Sequence, residues 1–291
     1  MKSIYTLIPD IYSLVGGPNG ITNLPPDLGG DIQKAVSASL GSRESRGLRL
    51  SGMGDKCPCA LWYSVNHPEL EEALPPYARI KYCYGHIIEH LIIALAKAAG
   101  HTVEGEQDEI LLDGIRGHRD CIIDGCIVDV KSAATRSFAK FKVPASDPAS
   151  IANDDPFGYL VQLDGYVVGS LADERVKVKD RGYLLAVDKQ LGHLALYEHR
   201  IRERHVRERI GNYKQIVQSS QPPRCECKSV PDGKSGNLKL DTRASYSTYK
   251  YCCKPNLRTF LYADGPRYLT KVVREPNGIT EVDSKGKVVY H

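Results

Sequence analysis

No run of eighteen consecutive apolar residues occurs in the chain, so no hydrophobic helix long enough to span a bilayer is expected. Residues 1–20 lack a basic segment followed by an apolar stretch and a cleavage site, and no secretory leader is read there. These two absences predict a cytoplasmic protein without a membrane partner. They also change the meaning of the nine cysteines, because in a reducing compartment thiols or metal ligands are expected rather than disulfides. No Gly-x-x-x-x-Gly-Lys-Ser/Thr segment is present, so a P-loop motor is not part of this chain. Strong net charge is missing too: at +4 the chain permits nucleic-acid binding without arguing for it.

What is there suffices for a sizeable core. With 291 residues, 42% of them apolar, the chain can form one large or two modest globular domains. Its charge is uneven. Residues 199–209 read HRIRERHVRER, with five arginines and two histidines. That pattern suits a solvated helix face with Glu–Arg pairing. Beside a nuclease site it would instead offer Arg200 and Arg204 to a DNA backbone.

Residues 1–55 are rich in Gly, Pro and Ser and read as an N-terminal arm with a short helix near 31–40. A core spans 56–220. After Gln221-Pro222-Pro223 a cysteine-bearing extension, 221–291, is expected to pack on that core. Within the core a short helix over 61–66 ends at His67-Pro68. A long one over 77–99 follows from the helical spacing of Ile80, Tyr84, Ile87, Ile88, Leu91, Leu95 and Ala98, with Gly100 at its C-cap. The period then changes to two. Strands are expected over 102–112, 115–123 and 126–131, joined by Asp113-Gly114 and Asp124-Gly125 turns. Residues 137–142 read as a strand or short helix, and 146–156 as a polar loop. A helix over 157–169, strands over 182–187 and 193–198, and the basic helix to about 218 complete the core; 268–273 is a strand candidate in the tail. The predicted class is α/β (α+β), a central mixed sheet flanked by helices.

A two-residue turn at Asp124-Gly125 makes cross-strand partners of Ile123 and Cys126, Ile122 and Ile127, Cys121 and Val128, and Asp120 and Asp129. Alternation then gives one face His118, Asp120, Ile122, Ile127, Asp129 and Lys131, and the other Arg119, Cys121, Ile123, Cys126, Val128 and Val130. The second set is mostly apolar and suited to burial. On the first, two carboxylates directly opposite each other have Cβ atoms roughly 4.5–5.5 Å apart, a repulsive arrangement. A divalent cation offsets that repulsion, since hard cations take carboxylate and phosphate oxygens together. Lys131, on the same face, can orient a water or stabilise charge on a phosphoryl group. The same residues would equally make an exposed hairpin with solvated acids.

Four short patterns occur in order: Gly85-His86-Ile87-Ile88-Glu89 on the long helix, Gly117-His118-Arg119-Asp120, Asp129-Val130-Lys131, and Gln162-Leu163-Asp164-Gly165-Tyr166 on the next helix. The set resembles the PD-(D/E)XK nuclease superfamily, in particular its RecB-like branch with a Gln-x-x-x-Tyr motif. The resemblance implies a restriction-endonuclease-like core. It implies Mg²⁺ or Mn²⁺ held by Glu89, Asp120, Asp129 and the Val130 carbonyl, and Lys131 as the catalytic lysine. Gln162 and Tyr166, four apart on one helix face, would contact DNA near the cleaved phosphate. His90 competes with Glu89 as the metal ligand from that helix, while His86 and His118 read as supporting or structural residues.

Cys57-Pro58-Cys59-Ala60-Leu61-Trp62-Tyr63 resembles the Cys-Pro-Arg-x-Leu-x-Tyr segment of iron–sulfur members of that branch, which add three C-terminal cysteines to bind a [4Fe–4S] cluster. Here Ala244-Ser245-Tyr246-Ser247 stands where those relatives carry Cys-x-x-Cys. Cys225 and Cys227 would substitute, giving Cys57, Cys225, Cys227 and Cys253 as ligands of a cluster or of Zn²⁺. Cys83, Cys121 and Cys126 are expected in the core. The implied activity is that of a DNA exonuclease working from ends in recombination, repair or phage DNA processing. A recombinase, annealing protein or helicase would be its partner, and a phage-encoded enzyme would act in the host cytoplasm. The alternatives are a site- or structure-specific endonuclease of the same fold, and a non-catalytic, metal-stapled nucleic-acid-binding module.

Overall fold

A computed structural model describes residues 2–290 apart from 19, 42–46 and 55–56; the boundary expected between arm and core, at 55/56, lies outside the described residues. In chain order the elements are α1 (Leu7–Val15), α2 (Leu28–Leu40), α3 (Pro58–Asn66), α4 (Pro76–Ala98), β1 (Val103–Glu104), β2 (Glu109–Leu112), β3 (Ile115–His118), β4 (Cys121–Ile123), β5 (Cys126–Ala133), α5 (Thr135–Phe138) and α6 (Tyr159–Gly169). There follow β6 (Arg181–Asp188), β7 (Leu194–Arg200), α7 (Glu203–Gln218), β8 (Ser229–Pro231), β9 (Leu238–Leu240), α8 (Thr242–Ser245), α9 (Lys250–Cys253), β10 (Arg258–Tyr262), β11 (Gly265–Lys271) and β12 (Thr280–Val282). They form two compact units. The first comprises Met1–Glu44, Leu48–Gly54 and Pro75–Glu208; the second comprises Ser45–Gly47, Asp55–Leu74 and Arg209–His291.

The first unit is built on a mixed five-stranded sheet of order β1-β4-β5-β6-β7. Only β5 and β6 run parallel, because the intervening segment, which includes α6, returns the chain to the same end of the sheet. At the β4–β5 turn Asp124 and Gly125 have φ of 50° and 78°, both positive, as the tightest hairpin turns require. Glycine is needed for space as well: a Cβ there would stand 2.7 Å from Lys177 Cγ. The register is the one expected, Ile123 with Cys126, Ile122 with Ile127 and Cys121 with Val128.

One face of this sheet, carrying Cys121, Ile123, Cys126, Val128, Val130, Tyr183, Leu185 and Val187, packs on Ile92, Ile93 and Ala96 of α4 and on Ile4, Leu7 and Ile11. Leu7 and Ile11 are fully buried, and each stabilises the fold by roughly 1.5–3 kcal/mol. The preface read as an arm therefore contains a helix, α1, that is part of the core. The opposite face receives α6, whose Leu163 and Val167 close over Gly182. With helices on both faces of a mixed sheet, the chain has the α/β architecture expected.

Two of the expected strands are interrupted. The segments 102–112 and 115–123 each divide, and β2 and β3 leave the main sheet as a separate two-stranded ribbon. The cause lies in residues 105–108, where Gly105 and Gln107 adopt φ of 60° and 55° and end β1. The second unit carries an antiparallel sheet of order β12-β10-β11-β9-β8, together with α3, α8 and α9. Its core joins Cys57, Cys59 and Ala60 to Cys227, Leu240, Ala244, Tyr249, Cys253 and Leu257.

Candidate active site and thiol cluster

Asp129 lies in the middle of β5 with no exposure. Two residues on and on the same face, Lys131 forms an ion pair with its Nζ 2.6 Å from Asp129 Oδ2, and neither Asp129 oxygen has a hydrogen bond of good geometry. Asp120, one residue before β4, is buried as well. Its Oδ2 accepts from the Val130 backbone N–H at 2.7 Å, so the acid expected opposite Asp129 is held by the strand that carries Asp129.

The third acid, Glu89, comes from α4 and is 7% exposed. Its Oε1 accepts from Gln107 Nε2 at 2.5 Å, and its Oε2 is 3.6 Å from His86 Nδ1. His86 is thus a neighbour of the acid. His118, by contrast, stands half-exposed on the ribbon beside Glu109, at 3.9 Å.

Electrostatics bind the set together. Burial, then the charges of Asp129 and Glu89, push Asp120 well above the ordinary carboxylate range. Burial also raises Asp129, with Lys131 pulling it back down. Burial alone would lower Lys131, but the adjacent Asp129 and Asp120 outweigh it and hold the ammonium charged. Three acids thus share one cation in a dry setting, and the group is short of positive charge.

Helix α6 closes the site with one face. Gln162 Oε1 accepts from Lys131 Nζ at 3.3 Å, and Gln162 Nε2 donates to Tyr166 Oη at 2.6 Å. Tyr159, one turn earlier, places its ring 4.9 Å from Lys131 Nζ, a cation–π contact. Burial raises both tyrosine hydroxyls above their ordinary value. Seven of the site residues expected from the sequence, Glu89, Asp120, Asp129, Val130, Lys131, Gln162 and Tyr166, are therefore linked by contacts or electrostatic coupling. Gln107 and Tyr159 join them without having been read from the sequence.

Arg200 and Arg204 stand elsewhere. Lys131 is level with Ala186 and Ala195, and Arg200 is five residues farther along β7, roughly 16 Å at strand rise. Arg204 is exposed on α7 and paired with Glu208 at 2.8 Å. With Arg207 paired to Glu203, this helix realises the Glu–Arg pairing expected of a solvated face.

The second unit holds the thiols. Cys57, Cys225, Cys227 and Cys253 place their sulfurs within 4.8 Å of one another, close enough to hold a metal ion. Cys57 is the N-cap residue of α3, Cys253 ends α9, and Cys225 and Cys227 lie between α7 and β8. Backbone N–H groups of Glu226 and Cys227 donate to Cys57 Sγ and Cys225 Sγ at 3.2 and 3.4 Å, an environment that suits thiolates. Hydrogen bonds from Cys227 and Cys253 pull Cys57 far down, while bonds with Cys227 and then Cys57 push Cys253 up. Among the described residues no other three or more His, Cys, Asp or Glu donors come this close together; the three acids of the first unit are more loosely set. Cys83, Cys121 and Cys126 are buried as expected, and burial, reinforced by Asp124, raises Cys126 to about 11.

No protein-family model matches the chain, and no curated protein does. Among solved structures it is similar to that of a protein called SSO0001, at 15% identity and a TM-score of 0.41, over 78% of this chain and 95% of that one. No helix among the described residues is long and apolar enough to cross a membrane.

Proposed function

We propose that the first unit is a divalent-metal-dependent deoxyribonuclease of the PD-(D/E)XK, RecB-like type, hydrolysing phosphodiester bonds from DNA ends. The observation that carries this reading is Asp129: a fully buried carboxylate, ion-paired to Lys131 through Oδ2, with neither oxygen in a hydrogen bond of good geometry. A buried charged acceptor left open is costly unless a partner arrives, and the donor set is the hard oxygen kind that Mg²⁺ and Mn²⁺ take. Glu89, Asp120, Asp129 and the Val130 carbonyl would hold the cation. Bound there, it supplies Lewis-acid charge to a phosphoryl oxygen and acidifies a water.

The rest falls to the chain itself. Asp120 and Asp129, raised by burial, would release any proton they carry when a cation replaces it, so metal binding is coupled to pH. Lys131, held charged, donates toward the attacking water or the phosphate oxygen. Gln162 fixes the Lys131 ammonium from α6, and Tyr166, at 2% exposure too buried for the DNA contact expected of it, holds the Gln162 amide in place.

The test is a time course on end-labelled linear DNA with Mg²⁺ or Mn²⁺. Asp129→Ala and Lys131→Ala should each abolish degradation while the fold persists; full activity in either removes the assignment. Rapid cutting of covalently closed circular DNA would reassign the same site to an endonuclease.

For the second unit we infer that the four thiols hold Zn²⁺ or a [4Fe–4S] cluster. The Cys57–Cys225 sulfur separation of 4.0 Å suits a single tetrahedral ion at Zn–S lengths of about 2.3 Å, whereas a cluster requires the sulfurs to spread to four iron corners. Metal analysis and the visible absorption of anaerobically purified protein separate the two.

A further inference from the structure

Residues 105–108 are held in an unfavourable conformation by an unusual concentration of bonds. Gln107 is not glycine, yet its φ is 55°, a left-handed geometry that is costly for a residue with a Cβ. Its backbone N–H donates to the Asp120 carbonyl at 3.1 Å, and the Arg119 N–H donates to the Asp108 carbonyl at 3.2 Å. Arg119, 1% exposed, points its guanidinium back under the turn. It donates to Gly105 O at 3.4 Å, Ser170 Oγ at 2.9 Å, Asp108 Oδ2 at 2.8 Å and Asp173 Oδ2 at 2.6 Å. Arg175 bonds the same two aspartates at 2.7 Å each. A Cβ on Gly105 would sit 2.7 Å from the guanidinium, so the turn and the arginine fit only with glycine there.

Strain retained against such a cost needs a reason, and the Gln107 side chain offers one. It ends on Glu89 Oε1 at 2.5 Å, the acid that α4 contributes, while its backbone is tied to Asp120, the acid that precedes β4. Gln107 therefore ties together two of the three proposed carboxylate ligands from outside them, one by its side chain and one by its backbone. We propose that Gln107 is a positioning residue for the cation site: its amide holds Oε1 of Glu89 and leaves Oε2, which has only the longer 3.6 Å approach of His86 Nδ1, to face the ion, and the Arg119 network fixes the reach of that amide. The inference rests on the reading of Glu89, Asp120 and Asp129 as metal ligands. Groups that orient a ligand in this way are worth on the order of 10- to 100-fold in metal affinity.

The experiment titrates the full-length protein with Mn²⁺, by calorimetry and by electron paramagnetic resonance, without DNA. Mn²⁺ is chosen because thiolates of the second unit compete poorly for it. Gln107→Met keeps the length of the side chain and removes the donor. Gln107→Asn suits a left-handed φ and keeps an amide, but is one methylene short of Glu89. Both should weaken Mn²⁺ binding by about tenfold or more, with Gln107→Asn unfolding at the temperature of the unmodified chain. Cleavage by both should recover at saturating Mn²⁺, which places the defect in metal affinity and not in the chemical step. If both variants bind Mn²⁺ within about twofold of the unmodified chain, Gln107 serves only the turn and the proposal fails, while the metal site stands. If the unmodified chain binds no Mn²⁺, the metal site itself is wrong and the proposal falls with it.

Discussion

Replacing Lys131 by methionine probes how the buried acids are held. Methionine keeps much of the lysine stem and removes the charge that lies 2.6 Å from Asp129 Oδ2. Asp129 has no exposure, so water cannot take over. Breaking a buried pair by removing one partner costs about 3–5 kcal/mol, or roughly 6–20 °C in Tm for a unit of 150–250 residues. The pH dependence follows from the direction of the shifts. Asp129 is raised in the folded protein, so the stability it contributes is complete below the unfolded carboxylate value of about 4 and is lost as pH rises through the folded value. Lys131 is what pulls that folded value down, and without it Asp129 rises further. Lys131 itself is raised above its unfolded value by the charges of Asp129 and Asp120, so its contribution is lost in strong alkali and also falls away where acid neutralises those two partners. The deficit of Lys131→Met should accordingly be small near pH 4–5 and grow toward pH 8. Thermal unfolding without added divalent cation, at both pH values, measures it. Adding Asp129→Asn to the same chain should restore most of the loss, since no buried charge is then left unpaired. A single variant within about 1 kcal/mol of the unmodified protein at pH 8, or a larger deficit at pH 5 than at pH 8, would refute the electrostatic account.

Two further outcomes are expected. Cys225→Ser should lower the bound zinc or iron per chain and reduce amide-exchange protection of α3 and α9 before that of β5 and β6, because the thiols join only segments of the second unit; unchanged metal content would exclude the quartet. His101→Leu should cost about 2–4 kcal/mol in urea unfolding: its ring nitrogens lie 2.6 Å from Asp124 Oδ2 and 3.1 Å from Asp10 Oδ2, and hydrogen bonds to charged groups contribute about 1.5–3 kcal/mol each. Asp10 keeps Lys2 at 3.0 Å, so Asp124 bears most of that loss.

What could be read in the sequence was local or chemically rare. Asp124-Gly125 demands a two-residue turn, and the turn sets the register that puts Val128 and Val130 inward and Asp129 and Lys131 on the other face. Cysteine is scarce enough that Cys57, Cys225, Cys227 and Cys253 could be singled out although about 170 positions separate the first from the next two. Helix α1 was also written in the spacing of Ile4, Leu7 and Ile11. Pro9 and the glycines after Val15 hid it, although proline is tolerated in a first helical turn. Gln107 was not legible. It is one polar residue in an acidic stretch, and only the folded position of Arg119 gives it a strained backbone and a direction. For the same reason Arg119 looked like an outlier on an apolar strand face, when it is the centre of an ion-pair group that ends the strand.

The burial of Ile4, Leu7 and Ile11 against β6 has a consequence for biosynthesis. Tyr5 bonds Tyr183, 178 positions later, at 3.1 Å, and the same core includes Leu185 and Val187. At about 5–20 residues per second, the ribosome needs roughly 10–35 s to supply that partner. During this time α1 has α4 to pack on but not β6, and the thiol of Cys57, a proposed metal ligand, waits for a partner 168 positions away. Both units thus close late, and newly made chain should depend on holding chaperones for longer than its length alone suggests.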